Sequence, residues 1–332
     1  MRIGVAIEET WSFFQEIYTE LTSHHQVSLF QRRQVHLPFF EGRVNRRLFQ
    51  RDLRDFLRKN QVVFFEWASE LLAAASRVPK SCGIVTRLHR YELYQWADLI
   101  HWEAVDRLIL VSRAKQREFI QRFPQYAEKT VVIPEAISID KFQPHNRSFN
   151  GDLGILCHLT PRKRVYELIL AFYELLQQQD GFHLHIGGGE HELHGDYYAA
   201  LRYLVQRLNL QDKVTFYGTV KDAAEWHQRI DIFISNSYSE GLQVSPMEAI
   251  ASGCYCLAHA WDGADELLPA DDIFLTNAEL IQKILSYANS SPQERRLRQA
   301  AQLGIVRARF DMNVIKAQVR QLVEEVGAGW KS

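Results

Sequence analysis

Two glutamates, Glu240 and Glu248, have the residue type and the spacing to bind one polar ligand together. The apolar run 232–234 before them predicts a buried strand, and a polar turn then leads to Glu240. Ser245 is predicted as the N-cap of the next helix and Pro246 as its first residue, which places Glu248 three residues after the cap. One carboxylate is therefore expected at the end of a strand, and the other in the first turn of a helix.

The helix is predicted to end at Ser252 and Gly253, and a further strand follows at 254–258. In open parallel sheets, ligands bind in the crevice at the carboxyl ends of the strands. Alternatively, Glu248 only completes a capping box and Glu240 is a solvated loop acid. The complete strand-turn-helix-glycine frame favours the functional interpretation, since structural context is what supports a short motif.

The segment S-E-G-L-x-x-S-P-M-E-A-x-A-x-G-C closely resembles the E-x7-E motif of retaining family-4 glycosyltransferases of the GT-B fold. The resemblance implies that Glu240 lies near the donor sugar as a catalytic residue and that Glu248 binds the ribose hydroxyls of the nucleotide. In such enzymes the backbone amides after the first glutamate also contact the sugar. This assigns a donor-binding role to Gly241, Leu242 and Gln243.

A basic turn follows the predicted strand 153–156, where family members carry G-R-L-x-x-x-K and clamp the donor diphosphate with the Arg and the Lys. Lys163 matches the Lys, His158 stands at the usual Arg position, and Arg162 is a substitute donor. A diphosphate should push a neighbouring His toward its cationic form. The alternative is a solvated basic turn. The V-x-F-x-G segment ending at Gly218 also resembles the family, whose following residues line the nucleotide base.

His89 follows the predicted strand 84–86, where family members place a histidine that faces the donor sugar at the cleft between domains. The resemblance therefore implies a catalytic role, whereas the residues alone indicate an ordinary loop histidine. Arg87 and Arg90 flank it and either bind phosphate or an acidic acceptor, or pair with Glu92.

The first strand-helix junction, Glu8-Glu9-Thr10, lacks the Gly-rich turn with which family members approach the donor phosphates. This departure puts a phosphate contact from the N-terminal domain in doubt. The linker P-E-A-I-S-I-D-K-F-Q-P at 134–144, by contrast, resembles the family's P-N-G-V-D-x-x-x-F-x-P.

Strands and helices are predicted to alternate along both halves of the chain, which indicates an α/β fold. The predicted strands are 2–7, 26–30, 62–65, 84–86, 107–111, 131–133, 153–156, 182–186, 214–218, 232–234 and 254–258; the helices are 11–21, 45–58, 114–122, 165–178, 197–208, 246–251, 277–288, 291–303 and 312–326. With the resemblance, these predict a GT-B fold of two Rossmann-like domains facing across a cleft. The predicted domains are 1–147 on the acceptor side, 148–311 on the donor side and a helix, 312–332, that crosses back; residues 145–150 form the hinge.

The basic helix 45–58 admits two interpretations. Its apolar positions, among them Leu48, Phe49 and Leu53, face one side, and the other side is dominated by positive charge. The cationic residues are Arg43, Arg46, Arg47, Arg51, Arg54, Arg58 and Lys59. Such a helix can lie on an anionic membrane or contact an anionic acceptor through residues 43–59, or it can pack on its own sheet and solvate the charges.

The amino-acid composition excludes several classes of protein. The 39 Lys and Arg nearly balance the 40 Asp and Glu, so there is no nucleic-acid signature. The four cysteines have no zinc or redox spacing and are expected to be reduced core residues. No complete metal-ligand set is apparent, although His183, His185, His191 and His194 cluster in the sequence. With no apolar span or leader, the protein is expected in the cytoplasm, either free or peripheral on the inner face of a membrane.

These features predict a hexosyltransferase-like enzyme that transfers a sugar, with retention, from a nucleotide-sugar donor to an acceptor hydroxyl on a glycan, a lipid-linked sugar or a small molecule. No cofactor beyond the donor and no metal is expected, and a UDP-sugar is favoured over GDP- or ADP-sugars. Two alternatives remain: a GT-B nucleotide-sugar epimerase, and a non-catalytic protein that binds nucleotide-sugars. The sequence identifies neither the sugar nor the acceptor.

Overall fold

The computed structural model describes residues 1–12, 14–36, 38–144 and 147–330. Phe13, predicted as an apolar position of the first helix, and the first two residues of the predicted hinge lie outside these ranges. The chain divides into two compact units. The first contains Met1–Glu135 and Met312–Ser332, and the second contains Ala136–Asp311.

The first unit is a parallel sheet of six strands with helices packed on it. The strands are β1 (Arg2–Ala6), β2 (Gln26–Leu29), β3 (Val62–Phe65), β4 (Gly83–Leu88), β5 (Arg107–Leu110) and β6 (Thr130–Val132), in the order β2-β1-β3-β4-β5-β6. The helices are α1 (Gln15–His24), α2 (Glu41–Lys59), α3 (Glu70–Ala75), α4 (Tyr91–Gln95) and α5 (Arg113–Arg122). β3 and β4 are buried at every position, as expected of parallel strands covered on both faces.

The second unit repeats this architecture. Its strands are β7 (Asp152–Leu156), β8 (His183–Gly187), β9 (Val214–Gly218), β10 (Ile232–Ser235), β11 (Tyr255–His259) and β12 (Ile273–Phe274), in the order β12-β11-β10-β7-β8-β9. Its helices are α6 (Val165–Gln178), α7 (Gly195–Arg207), α8 (Ala223–His227), α9 (Val244–Ala251), α10 (Asn277–Ala288) and α11 (Pro292–Arg309). The strand order reverses between β7 and β10, and this switch point is where such sheets bind ligands.

The final helix, α12 (Met312–Ala328), belongs to the first unit, where it contacts α1, β3 and β4. Its close approach depends on glycine at the start of β4, because a Cβ at Gly83 would lie 2.5 Å from a methyl carbon of Val326. A larger residue would require the side chain of Val326 or the helix itself to shift.

The predicted α/β class with two Rossmann-like domains is confirmed by these two sheets. The structure adds helices that the sequence pattern did not indicate, namely α3, α4 and α8. Each is only five or six residues long, too short for a helical periodicity to be recognised. α1 starts at Gln15 and not at residue 11, whereas α2 starts earlier than predicted, at Glu41.

The four cysteines are free thiols, and three of them are buried, which agrees with the predicted reduced core. At the first strand-helix junction, where the glycine-rich turn is missing, the carboxylate of Glu8 accepts hydrogen bonds of 2.7 and 2.8 Å from Arg32. An ion pair therefore occupies the turn after β1.

Candidate active site

Glu240 lies at the carboxyl end of β10, and its carboxylate meets the basic turn that follows β7. The ammonium of Lys163 donates a 2.6 Å hydrogen bond to Oε1 of Glu240, and Nη1 of Arg162 lies 2.7 Å from the same oxygen. Only 8% of the surface of Glu240 is exposed. Three residues chosen separately from the sequence are thus in contact, at the switch point of the second sheet.

Backbone contacts hold the two loops together. The amide of Tyr238 donates to the carbonyl of Arg162, and the side-chain amide of Asn236 donates to the carbonyl of Arg164. Arg164 has a φ of 51°, in the left-handed region, and this conformation ends the basic turn and starts α6. The relative positions of Lys163 and Glu240 therefore depend on the backbone as well as on their ion pair.

The charge of Glu240 is set by opposing effects. Burial raises the pKa of its carboxyl, but the positive charges of Lys163 and Arg162 lower it, and the net shift is downward. Glu240 is therefore an anion at neutral pH.

Glu248 has a different environment, although it is only eight residues further along the chain. It lies on α9 with its carboxylate largely removed from water, and no hydrogen bond or ion pair joins it to the described residues. Burial alone raises the pKa of Glu248 to about 7. An unpartnered carboxylate of this kind gains free energy when a ligand supplies hydrogen-bond donors.

The predicted start of α9 is wrong by two residues. The helix begins at Val244 and Gln243 is its N-cap, so Ser245 already lies inside the first turn. The side chain of Gln243 accepts a hydrogen bond from Ser235 at the end of β10, and this contact holds it at the helix entrance. Within the described residues, a capping box between Ser245 and Glu248 is therefore absent, which removes the structural alternative for Glu248.

The backbone between the two glutamates leads directly into α9. Gly241, Leu242 and Gln243 are all buried. The amides of the first helical turn have no partner within the helix, and they form the positive end of its dipole. This segment can receive an anionic or a hydroxyl-rich ligand through its backbone, as the resemblance implies.

In the described part of the chain, His158 and Gly218 make no hydrogen bond or ion pair with the carboxylate of Glu240 or Glu248. His158 as a whole residue is exposed, but its ring is partly desolvated by its neighbours, and this desolvation together with the charges of Lys163 and His191 lowers its pKa below the ordinary value. The predicted shift toward the cationic form beside a diphosphate stays a prediction. Gly218 ends β9 with a φ of 64°, and its carbonyl accepts a 2.8 Å hydrogen bond from the amide of Gly188. Glycine suits this left-handed position.

In the first unit, His89 lies among charged residues that we call the His89 cluster: Glu66, Arg87, His89, Glu92 and Glu135. Nε2 of His89 lies 2.8 Å from Oε1 of Glu135, and Nδ1 lies 3.2 Å from Oε1 of Glu92. Its ring stacks on Trp67, with the centroids 4.0 Å apart.

Arg87, two residues before His89, is fully buried. Its Nε donates a 3.0 Å hydrogen bond to Oε1 of Glu66, Nη2 contacts the same oxygen, and Nη1 lies 3.5 Å from Oε2 of Glu135. Arg87 therefore pairs with Glu66 and Glu135, and the charge of Glu92 also acts on it. Sequence reasoning missed both glutamates, although Glu66 directly follows the apolar strand β3, and Glu135 stands where the family linker has Asn.

The His89 cluster holds its histidine as a cation. Burial lowers the pKa of His89, but the carboxylates of Glu135 and Glu92 raise it to about 10. Burial raises the pKa of Glu66 to about 7 despite the charge of Arg87. At neutral pH His89 is therefore an imidazolium ion, suited to donating hydrogen bonds rather than to accepting a proton.

Among the described residues, no three His, Cys, Asp or Glu side chains are grouped so as to hold a metal ion. His183 and His185 instead bond to neighbours on their own sheet. Nε2 of His183 is 2.8 Å from the hydroxyl of Thr215, and Nε2 of His185 is 3.0 Å from Asp152. These histidines are part of the sheet surface.

Residues 144–303 match the family described as Glycosyl transferases group 1. The second unit is a glycosyltransferase group 1 domain. The resemblance inferred from the two-glutamate motif is thereby confirmed at the level of group 1.

This group 1 domain has curated relatives. The chain is similar to an alpha-monoglucosyldiacylglycerol synthase of Streptococcus pneumoniae, with 26% identity over 208 residues. The match covers 52% of this chain and 46% of that protein, so the chain spans about half the length of this relative.

The glycosyltransferase fold extends over both units. HepE of Anabaena, solved in complex with UDP and glucose, gives a TM-score of 0.78 at 20% identity and covers 98% of this chain and 99% of its own. Sucrose-phosphate synthase of Thermosynechococcus elongatus gives 0.79 at 16% identity, covering 99% and 100%. These likenesses establish the GT-B fold class.

Proposed function

We propose that the chain is a retaining glycosyltransferase that moves a hexose from a nucleotide-sugar to an acceptor hydroxyl. The observation that carries the proposal is the pair of carboxylates at the switch point of the second sheet. Glu240 is held as an anion by Lys163 and Arg162, whereas Glu248 is desolvated and has no partner. A nucleotide-sugar supplies a diphosphate for Lys163 and Arg162 and ribose hydroxyls for Glu248.

The donor is a UDP-sugar. HepE has been solved with UDP and with UDP-glucose, and its fold matches nearly the whole of this chain. Lys163, Arg162 and His158 lie on the turn after β7, where their charges and donors can bind the diphosphate without a metal ion. Glu248 accepts the ribose hydroxyls, and the residues lining the base follow Gly218.

The proposed reaction proceeds on one face of the sugar. The bond between the anomeric carbon and the diphosphate oxygen breaks, and a bond to the acceptor oxygen forms on the same face. The acceptor's proton passes to the departing diphosphate, so no protein base is required. The positive charge of His89 stabilises the negative charge that develops during the transfer, and Glu240 orients the sugar near Lys163.

Two other functions fit the same site. A nucleotide-sugar epimerase would convert the donor without an acceptor, and a binding protein would hold it without turnover. Calorimetry with UDP-, GDP- and ADP-sugars in the presence of EDTA measures binding, and UDP release with and without a panel of acceptors measures transfer. Release that depends on an acceptor supports the transferase; epimerised donor or binding alone would contradict it.

Lys163 and His89 should affect different steps. Lys163→Ala should weaken both UDP and UDP-sugar about ten- to hundredfold, because a charge-assisted hydrogen bond contributes about 1.5–3 kcal/mol. Uridine, which has no phosphate, should bind as before.

His89→Ala should leave the UDP affinity unchanged and lower the transfer rate. Unchanged UDP affinity in the first variant, or an unchanged rate in the second, would remove the corresponding role.

We also propose that the protein acts at the inner face of a membrane. None of the helices in the described part of the chain is long and apolar enough to cross a bilayer. Instead Phe39 and Phe40 are 77% and 72% exposed directly before the arginine-rich helix α2. Aromatic side chains beside a cationic helix face are suited to an anionic lipid surface. The named product of the Streptococcus relative is a lipid, which supports an amphiphilic acceptor.

Replacing both aromatic residues tests the membrane contact. Phe39→Ser with Phe40→Ser should reduce co-sedimentation with phosphatidylglycerol vesicles about tenfold or more, since each buried aromatic side chain contributes roughly 1.5–3 kcal/mol. Leu297→Ser, at a residue 65% exposed on α11 in the other unit, is the matched control and should bind vesicles normally. Equal binding by all three proteins would exclude this surface.

A further inference from the structure

A cavity of about 490 Å³ lies in the first unit, between α2, α3 and the segment that follows β2. Arginines dominate its polar lining, and Glu70 is its one lining carboxylate among the described residues. The arginines are Arg32, Arg33, Arg46, Arg54 and Arg77. We call this cavity the arginine pocket. It is separate from the residues of the second unit to which the donor is assigned.

Two of the arginines are already neutralised by carboxylates. Arg32 pairs with Glu8 at 2.7 Å and with Glu70 at 3.5 Å, and its guanidinium lies 4.2 Å from the centroid of the Phe49 ring. Arg33 pairs with Asp52. These contacts fix the wall of the arginine pocket, and they leave its unbalanced charge on other residues.

Arg77 donates a 3.1 Å hydrogen bond to the carbonyl of Leu99, and the remaining unbalanced charge lies on α2. Arg46 and Arg54 line the arginine pocket eight residues apart, with Gln50 midway, so all three lie on one face of the helix. Neither guanidinium makes a hydrogen bond or an ion pair with a described residue. Two guanidinium groups that line one pocket without a carboxylate partner can both bond to one anion.

The rest of the lining is apolar. Phe49 and Leu53 of α2 face Ala74, Val78 and Pro79 from α3 and the turn after it. A site that combines guanidinium groups with such a surface fits a ligand that has both an anionic and an apolar part. A phosphoryl group has three acceptor oxygens and can bond to guanidinium groups from more than one side, which a carboxylate does less well.

We propose that the arginine pocket binds the phosphate of an amphiphilic phosphate ester, with Arg46 and Arg54 on the phosphate and the apolar substituent along Phe49 and Val78. If the proposed transferase activity holds, on which this assignment rests, the ester is the acceptor and the phosphate is its anchor. Within the first unit, the segment after β3 links the arginine pocket to the His89 cluster. Trp67 stacks on His89, and Glu70, three residues later, lines the arginine pocket.

Hexyl phosphate, as a monomer in solution, is the probe of the arginine pocket. In calorimetric titrations without donor it should bind the wild-type protein, and hexanol should not. Arg46→Ala with Arg54→Ala should weaken this binding at least about tenfold. The matched control, Arg47→Ala with Arg58→Ala, removes the same charge from exposed positions of α2 that do not line the pocket, and it should change affinity less than about twofold, the size of a general charge effect.

Equal weakening in the two double variants would overturn the proposal, because the effect would then be general electrostatics. Binding of hexanol as tight as that of hexyl phosphate would overturn it too. Phosphatidic-acid vesicles identify the source of the phosphate. Parallel loss of vesicle binding in the pocket variant supports a lipid, and retained vesicle binding supports a soluble ester. UDP titrations of each variant keep the two proposals apart, since a chain that binds hexyl phosphate and no nucleotide contradicts only the proposed transferase.

Discussion

Arg87→Leu should destabilise the first unit by about 3–5 kcal/mol, the usual effect of removing one partner from a buried ion pair. Arg87 is fully buried, and its guanidinium is the cation next to both Glu66 and Glu135. Without it, His89 is the remaining cation among three carboxylates of the His89 cluster. The cluster then holds negative charge in a site from which water is excluded.

Thermal unfolding and hydrogen exchange of the peptides that contain β3 and β4 measure this effect. Arg107→Leu is the matched control, because Arg107 lies on the neighbouring strand β5 and is exposed. Its stability should change by no more than about 0.5 kcal/mol. Adding Glu66→Gln to Arg87→Leu should restore part of the loss, because it removes a carboxylate that has lost its counter-charge. An Arg87→Leu protein as stable as the control would show that the cluster does not depend on its arginine.

Glu66 also gives the cluster a pH dependence. Burial raises the pKa of this carboxyl from 4.5 to about 7, so ionisation of Glu66 is less favourable in the folded chain than in the unfolded one. Its contribution therefore lowers stability as the pH rises from 4.5 to about 7 and is constant above that range. The raised pKa of His89 acts in the same direction, since its stabilising charge is lost near pH 10. The first unit should be less stable in alkaline solution.

The sequence predicted that Lys163 and Glu240 lie at the same edge of the second sheet, because each residue follows a strand. Lys163 follows β7 and Glu240 follows β10, and these strands are neighbours in the order that parallel α/β sheets adopt. The alternation of elements was therefore enough to bring the two side chains together. The contact of Arg162 with Glu240 was not foreseen, since a basic turn before a helix suggests a phosphate ligand and not an internal carboxylate.

The His89 cluster could not be predicted in this way. Its members come from the ends of β3 and β4, from α4 and from the linker after β6, and their sequence positions share no motif. Glu66 and Arg87 resemble ordinary strand-end charges until the packing of the sheet removes them from water. Only the tertiary structure reveals that His89 is held between carboxylates.

The start of α9 was mispredicted for a related reason. Ser245 followed by Pro246 is a strong local signal for a helix start. The structure places Gln243 there instead, because its side chain bonds to Ser235 on the preceding strand. A contact between two elements decides the boundary, and propensity alone does not record it.

Glu248→Gln should lower the affinity for UDP by about 1.5–3 kcal/mol, roughly ten- to hundredfold, and should not destabilise the protein. As a ribose ligand, the carboxylate accepts two hydrogen bonds through charged oxygens, and an amide offers one neutral oxygen. The capping alternative predicted a nearly silent change, but Ser245 is not the N-cap of α9. Glu174→Gln, at an exposed position of α6, is the matched control and should bind UDP normally.

The pH dependence distinguishes Glu248 from a residue that is merely nearby. Uridine is the better ligand here, because it keeps the ribose hydroxyls and has no phosphate that titrates. Since the pKa of Glu248 is about 7, wild-type affinity for uridine should rise as the pH increases through 7, while the Glu248→Gln protein should show a flat profile. A flat wild-type profile would contradict the ribose assignment.

Stability should change in the opposite sense, and this gives a second, independent readout of Glu248. The pKa of the carboxyl is raised from 4.5 to about 7 by burial, so ionisation disfavours the folded state by at most about 3 kcal/mol above pH 7 and by nothing below pH 4.5. Glu248→Gln removes this penalty. The variant should therefore melt at a higher temperature than wild type at pH 8, and at the same temperature at pH 4.5. If the variant binds UDP more weakly and yet is more stable at pH 8, Glu248 is a group retained for its ligand. If the variant is less stable than wild type at pH 8, Glu248 supports the fold.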